Sequence, residues 1–387
     1  MPPSFLTGLP LARMAMLMLV CLPGAFVQAK QPVPGQLEIH YIALGQGGGT
    51  LIVGPDGTMI LYDFGRVPGK KFLVKYLQDK IGLESGDHIH YAMISHGDKD
   101  HYYGYKDVVD YAGIGVLRAN YEPGTTKTRS STMLSHWFNP AKKTKAGAFK
   151  AIPVGLRIPL GDGAEAHVIA ANGVVLNDGL PASISDENDR SIALFIRYGH
   201  FSYILDGDLG SGSEACTAHK TSQRNVQERV ARALVKNGLM SEERGVDVMH
   251  IAHHGSESST SAAYFNKMKP KLALVSVGED QGTFLHPRRD VVERVLLDIN
   301  RPSCVVAPPV LALLQTGKGA DLPCSNTGCT SFAGAEVGDI VVRTDGDKDY
   351  TVEVAQAPAR VARKYIQLEG PPPWRIPLSK APKRRER

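Results

Sequence analysis

The run His96-Gly97-Asp98-Lys99-Asp100-His101 packs four potential metal ligands into six positions, directly after the largely apolar stretch 89–95. A continuing strand would send neighbouring side chains to opposite faces, whereas a loop leaving a strand can fold them into one pocket. Imidazole nitrogens mixed with carboxylate oxygens suit first-row divalent cations, and this many donors can hold more than one. A polar surface loop would account for the same composition, but three later points supply further ligands. The strand-like run 201–205 leads to Asp208, the run 246–252 leads into His253-His254-Gly255-Ser256, and the run 272–277 leads through a loop to His286. A lone histidine such as His286 is usually surface or core. Here it follows the fourth such apolar run, which makes it a ligand candidate.

The elements that must position these residues are legible as periods. The segment 37–44 alternates as a strand, and Gly54-Pro55-Asp56-Gly57 is a hairpin signal between 50–53 and 58–63. Helical spacing appears at 72–83, 226–237, 262–269 and 289–300, with strands at 191–198, 201–205, 246–252 and 272–277. The stretch 118–150 is rich in Lys, Ser and Thr with no clear period and is expected to be an insertion or long loop. Strands dominate early and then alternate with helices, so stacked α/β layers are expected rather than an all-β sandwich. If the ligand-bearing strands lie side by side, their carboxyl ends meet at one edge, where open α/β sheets bind ligands.

At this point the chain resembles the metallo-β-lactamase-fold hydrolases, and within them the hydrolase domain of ComEC-type competence proteins. The matching stretches are Ala43-Leu44-Gly45-Gln46-Gly47, Leu61-Tyr62-Asp63-Phe64-Gly65, the His-x-Asp-x-Asp-His core, Asn188-Asp189-Arg190-Ser191, the strand ending in Gly207-Asp208, His253–Gly255 with Ser256, and His286-Pro287. They occur in the family's order over about residues 37–300. The resemblance implies a four-layer αβ/βα sandwich with two mixed sheets face to face and a dinuclear site on one edge. It implies that His96 and Asp98 hold one cation with one of His253 and His254, that Asp100, His101 and His286 hold the second, and that Asp208 bridges both. Which of the adjacent histidines ligates stays open. Asp63 would orient a ligand histidine, and Gln46 and Gly47 would shape the floor. Asp98 stands where most of the superfamily has a second His, so Mn²⁺ is as reasonable as Zn²⁺. Gly48-Gly49 departs from the competence proteins, which usually carry an acidic residue there. No equivalent of the family's intermediate His is evident, and His136 and His167 read as structural.

Such a pair of cations, about 3.5–4 Å apart, would activate a shared water, so no protein nucleophile is required. None is visible, since the chain lacks a Gly-x-Ser-x-Gly elbow. Asp100 and Asp208 are the expected catalytic carboxylates, and Ser256 either contacts substrate or caps the following turn. Phosphate esters or phosphodiesters, extracellular DNA among them, are the expected substrates, with the basic loop Lys142-Lys143-Thr144-Lys145 available to a phosphate backbone. Hydrolysis of β-lactam, lactone or thioester bonds is the alternative, followed by a non-catalytic periplasmic metal-binding protein.

The bulk numbers frame this reading. The chain has 387 residues, enough for one large or two modest domains. Residues 1–29 combine Arg13, an apolar stretch broken by Pro23 and Gly24, and the ending Val27-Gln28-Ala29, which reads as a cleavable secretory signal; the mature chain is expected to be secreted or periplasmic, without stable membrane insertion. The hydrolase domain is expected over 30–360. The basic, Pro-rich end, 361–387, is expected to be a disordered tail. The net charge of +5 is carried by Arg13 and the far end of the tail, leaving the body near neutral. After the signal, four cysteines remain: Cys216, Cys304, Cys324 and Cys329. They suit two disulfides, with Cys324–Cys329 as the local pairing, although buried free thiols are the alternative.

Overall fold

The structure is a computed structural model that describes residues 32–66, 70–124, 129–179, 184, 186–214, 220–279, 284–288, 291–292, 303–319, 335–358 and 366–379. In the first sheet, β1 (Leu37–Tyr41), β2 (Thr50–Val53), β3 (Met59–Tyr62), β4 (His88–Met93), β5 (Gly115–Glu122) and β6 (Lys150–Ala151) lie in that order. Beyond β1 the sheet is extended by β16 (Ile340–Thr344), β17 (Asp349–Val354) and β18 (Trp374–Pro377). The second sheet orders β7 (Arg157–Gly161), β8 (Ala164–Ala171), β10 (Ala193–Tyr198), β11 (Phe201–Leu205), β12 (Val248–His250), β13 (Leu272–Val275), β14 (Ala312–Gln315) and β15 (Ala335–Glu336), with β9 (Val174–Val175) paired to β8. Both sheets are mixed. β3, β4 and β5 run parallel in one, and β11 to β15 run parallel in the other.

Alternation along each strand divides the apolar residues among three cores. Ile60 and Leu194 point between the sheets, while Leu61 and Phe195, one residue on, point outward. Outside the first sheet, Leu61 packs with Leu73, Leu77 and Trp137 from helical segments. Outside the second, Phe195 packs with Val230 and Leu234 of the helix Val226–Lys236 and Phe265 of the helix Ala262–Met268. Strands buried on both faces read as continuous apolar runs, which is why β10 and β11 lack polar alternation. The result is the expected αβ/βα sandwich.

Local chemistry sets the element boundaries. The hairpin forms as expected, with Val53 opposite Met59, the Asp56 carboxylate accepting from Thr58 N at 2.8 Å and Gly57 at φ 83°. The helix Lys70–Tyr76 widens over Leu77–Ile81 and stops at Gly82, whose φ of 82° is open to glycine. The helix Val226–Lys236 opens on a reciprocal cap, with Asn225 Oδ1 accepting from Glu228 N and Asn225 Nδ2 donating to Glu228.

Two expectations fail. The stretch 118–150 is not a long loop: β5 extends to Glu122, and 131–141 is helical, burying Met133, Trp137 and Ala141 at four-residue spacing. That period is masked in the sequence by the Lys, Ser and Thr between. Of the expected tail, residues 366–379 are also part of the fold. β18 pairs antiparallel with β17, and Trp374, Ile376 and Leu378 enter the inter-sheet core. Pro377 is tolerated because β18 is an edge strand. The signal segment, most of the helix expected at 289–300 and the far tail lie outside the described residues, as do Cys216, Cys324 and Cys329. Cys304 is disulfide-bonded, so a free thiol there is excluded. Among the described residues no helix is long and apolar enough to cross a membrane.

Candidate metal centre

The carboxyl ends of the parallel strands from both sheets converge on one edge. Asp63 follows β3, the His96–His101 segment, helical from Lys99, follows β4, Asp208 follows β11, His253 and His254 follow β12, and Ser276 follows β13. Two groups of ligand atoms form there: His96, His101 and Asp208, and Asp100, His101 and His254. Asp208 Oδ2 lies 3.3 Å from His101 Nε2, 3.8 Å from the Nε2 of both His253 and His254, and 3.9 Å from His96 Nε2. It is the carboxylate common to the whole cluster. Asp100 Oδ2 lies 3.4 Å from His254 Nε2, and Asp98 Oδ2 reaches His96 Nε2 at 3.5 Å from a half-exposed position.

The expected grouping therefore changes in two respects, at the adjacent histidines and at His286. Of the adjacent histidines, His254 joins Asp100 and His101, not His96 and Asp98. A tight turn separates the two rings: both residues have positive φ, 52° and 54°, and their centroids are 6.4 Å apart. His286 belongs to neither close group. It stands on the cleft wall, its ring centroid 5.5 Å from His253 and 6.3 Å from His254. Asp63 is where the sequence placed it, accepting from His101 Nδ1 at 2.7 Å, from Ser95 Oγ at 2.8 Å and from Ser95 N at 2.7 Å. It too has a left-handed backbone, φ 61°. Such backbone strain in non-glycine residues collects at functional sites. Ser256 bonds Ser258 Oγ at 3.1 Å, and Ser258 in turn meets His253 Nδ1 at 3.1 Å.

The outer partners are what sequence reasoning missed. His96 Nδ1 is met by Ser95 Oγ at 3.0 Å and Ser191 Oγ at 3.3 Å, and His254 Nδ1 donates to Ser276 O at 2.7 Å. Ser191 Oγ also accepts from Asp208 N at 3.1 Å. Small hydroxyls carry no signal of this role in sequence beyond their adjacency to motif residues. The Gly48 departure gains a reason: a Cβ there would stand 3.0 Å from Asp63 Oδ2 and 3.2 Å from His101 Nδ1, so glycine lets the loop close over that pair. Ser276 Oγ donates to Gly47 O at 2.6 Å, tying the floor loop to β13. His167 is remote on β8 beside Glu165, and His136 stacks on Tyr103 at 3.9 Å between ring centroids.

With each Nδ1 tied back, the Nε2 atoms of His96, His101 and His254 point inward, buried and with no hydrogen-bond partner, as is Asp208 Oδ1. Leaving four buried polar atoms without a hydrogen bond is costly unless a ligand completes them. The donor set fits divalent cations, with each ligand imidazole oriented through its far nitrogen, as metal sites require. Electrostatics agree. Burial works against ionisation of Asp208 and Asp100, but His101 and His254, joined at Asp208 by His253, more than reverse it and hold both carboxyls below their ordinary range. Burial would likewise lower His101, yet Asp208, Asp63 and Asp100 raise it well above the usual imidazole value. Cation binding would displace that proton.

No family model matches the chain. Among curated proteins it is similar to ComE operon protein 3 of Bacillus subtilis, 28% identical over 113 residues, covering 29% of this chain and 12% of that protein. It is also similar to Recombination protein 2 of Haemophilus influenzae, 24% identical over 268 residues, covering 67% of this chain and 26% of that protein. The chain thus spans about a quarter or less of the length of these relatives. Among solved structures, the metallo-β-lactamase fold protein YhfI of Bacillus subtilis overlaps 62% of this chain and 85% of its own, at 9% identity and a TM-score of 0.35. The paired mixed sheets form an αβ/βα sandwich, and with the strand-end ligands it is similar to the metallo-β-lactamase fold. The motifs resemble the ComEC-type branch of it.

Proposed function

We propose that this protein is an exported, metal-dependent hydrolase of phosphate esters or phosphodiesters, nucleic acid being the leading substrate. The observation that carries this reading is the set of inward Nε2 atoms, buried and without hydrogen bonds, around Asp208. His96, Asp98 and Asp208 would hold one cation and Asp100, His101 and His254 a second, either Zn²⁺ or Mn²⁺. Bound there, such ions supply an acidified water and neutralise charge on the transition-state oxygens. Asp208, facing all four inner imidazoles, balances the charge between the two groups. Asp100, one-quarter exposed at its side chain, faces the cleft and can orient the attacking water. Asp63, Ser95, Ser191 and Ser276 fix the imidazole orientations before substrate arrives.

A phosphate ester is favoured over a lactam or lactone because Arg66 and Lys99 line the cleft beside Asp100; on the other side Lys220 and Arg288 are balanced by Asp186 and Glu257. The test is metal content of the purified chain together with phosphodiesterase activity, comparing wild type with Asp208→Ala. The variant is expected to lose turnover and retain less metal. Wild-type activity in the variant would remove Asp208 from the reaction, and activity on a lactone but on no phosphodiester would replace the substrate class.

A further inference from the structure

Two cavities open beside the metal centre, and one side chain lines both. The first, about 370 Å³, is walled by the hydroxyls and amides of Asn188, Thr221 and Gln223 together with charged side chains of both signs, and reaches His253 and His286. The second, about 340 Å³, is walled by Gln46, Arg66, Lys99 and Tyr103 and reaches Asp100. Phe284 stands between them and is 60% exposed. Its ring lies nearly parallel to His286, 15° between planes and 5.8 Å between centroids. An exposed aromatic held flat beside a catalytic cleft is costly to hydrate and contributes nothing to the three cores.

We propose that Phe284 is a stacking platform for an unpaired nucleobase, and that the substrate is a single-stranded nucleic acid laid across both cavities. This rests on the phosphodiesterase reading and adds the form of the substrate. With a base on the open face of Phe284, the hydroxyl and amide cavity can hydrogen-bond its edge. The backbone phosphate on the other side meets Arg66 and Lys99. A duplex cannot engage in this way, because the faces of paired bases are covered by their neighbours and only a splayed base can lie on a ring. The neutral body points the same way. Tight duplex binding is driven by neutralising many phosphates, whereas stacking supplies affinity without a large positive field.

The experiment compares Phe284→Ala and Phe284→Trp by fluorescence anisotropy, in an Asp208→Ala background so that no cleavage intervenes. The probes are labelled oligothymidylate, oligouridylate and a DNA duplex. Stacking energies of this kind correspond to a Kd rise of about 5- to 150-fold for Phe284→Ala on the single strands, with Phe284→Trp near wild type. The two single-stranded probes separate DNA from RNA as the source. In the otherwise wild-type, metal-loaded chain, Phe284→Ala should raise KM for the oligonucleotide at least fivefold more than for methyl p-nitrophenyl phosphate. An unchanged Kd, equal losses on duplex and single strand, or equal kinetic losses on both substrates would overturn the platform. Absence of turnover on every phosphodiester would instead strike at the function proposed above, and the anisotropy would still decide the role of Phe284.

Discussion

Replacing Asp63 by Asn tests whether the centre is prepared by partners behind the ligands. The substitution keeps the shape and tolerates the left-handed backbone at φ 61°, where Asn is among the few residues at ease. Its amide oxygen can still accept from Ser95 N. What is lost is the carboxylate that holds His101 Nδ1 at 2.7 Å, a charge-assisted bond buried away from water. Bonds of this kind contribute about 1.5–3 kcal/mol, or about 10- to 150-fold in an equilibrium constant. Loss of an outer partner from a ligand histidine costs about 10–100-fold in metal affinity, so two independent scales agree. The assay is chelator competition for Zn²⁺ and Mn²⁺, with thermal unfolding of the metal-free chains as the control. Affinity within threefold of wild type, in a variant of unchanged stability, would refute the role assigned to Asp63.

Two other perturbations test the frame. Ile376→Ala removes a side chain 1% exposed in the inter-sheet core and should destabilise by about 2–5 kcal/mol in denaturant unfolding; a loss under 1 kcal/mol would mean that β18 is not integral. Burial, together with neighbouring His253 and His254, pushes His286 down to about 3 from 6.5. The unfolded chain therefore takes up that proton first as pH falls. The metal-free protein should lose stability between about pH 6.5 and 3, and His286→Gln should lose less over that window, read as Tm against pH. Parallel profiles would show that His286 does not titrate this way.

Much of this was open to a reader of the chain alone. The ligands stand next to one another in His96–His101 or directly follow apolar runs, and short-range patterns survive without a structure. Alternation and apolar runs set the strands, and Asp63 was singled out by the family resemblance of residues 61–65. The tertiary structure decided what depends on distance across the fold. It selected His254 over His253 for the Asp100 group, because a left-handed turn separates their rings in a way that strand alternation does not anticipate. It recruited Ser95, Ser191 and Ser276, whose hydroxyls and carbonyls gain a role only once the ends of β4 and β13 and the start of β10 meet at one edge. It also returned Trp374 and Ile376 to the core. An edge strand of four residues behind three prolines becomes stable only when a sheet already stands there to receive it.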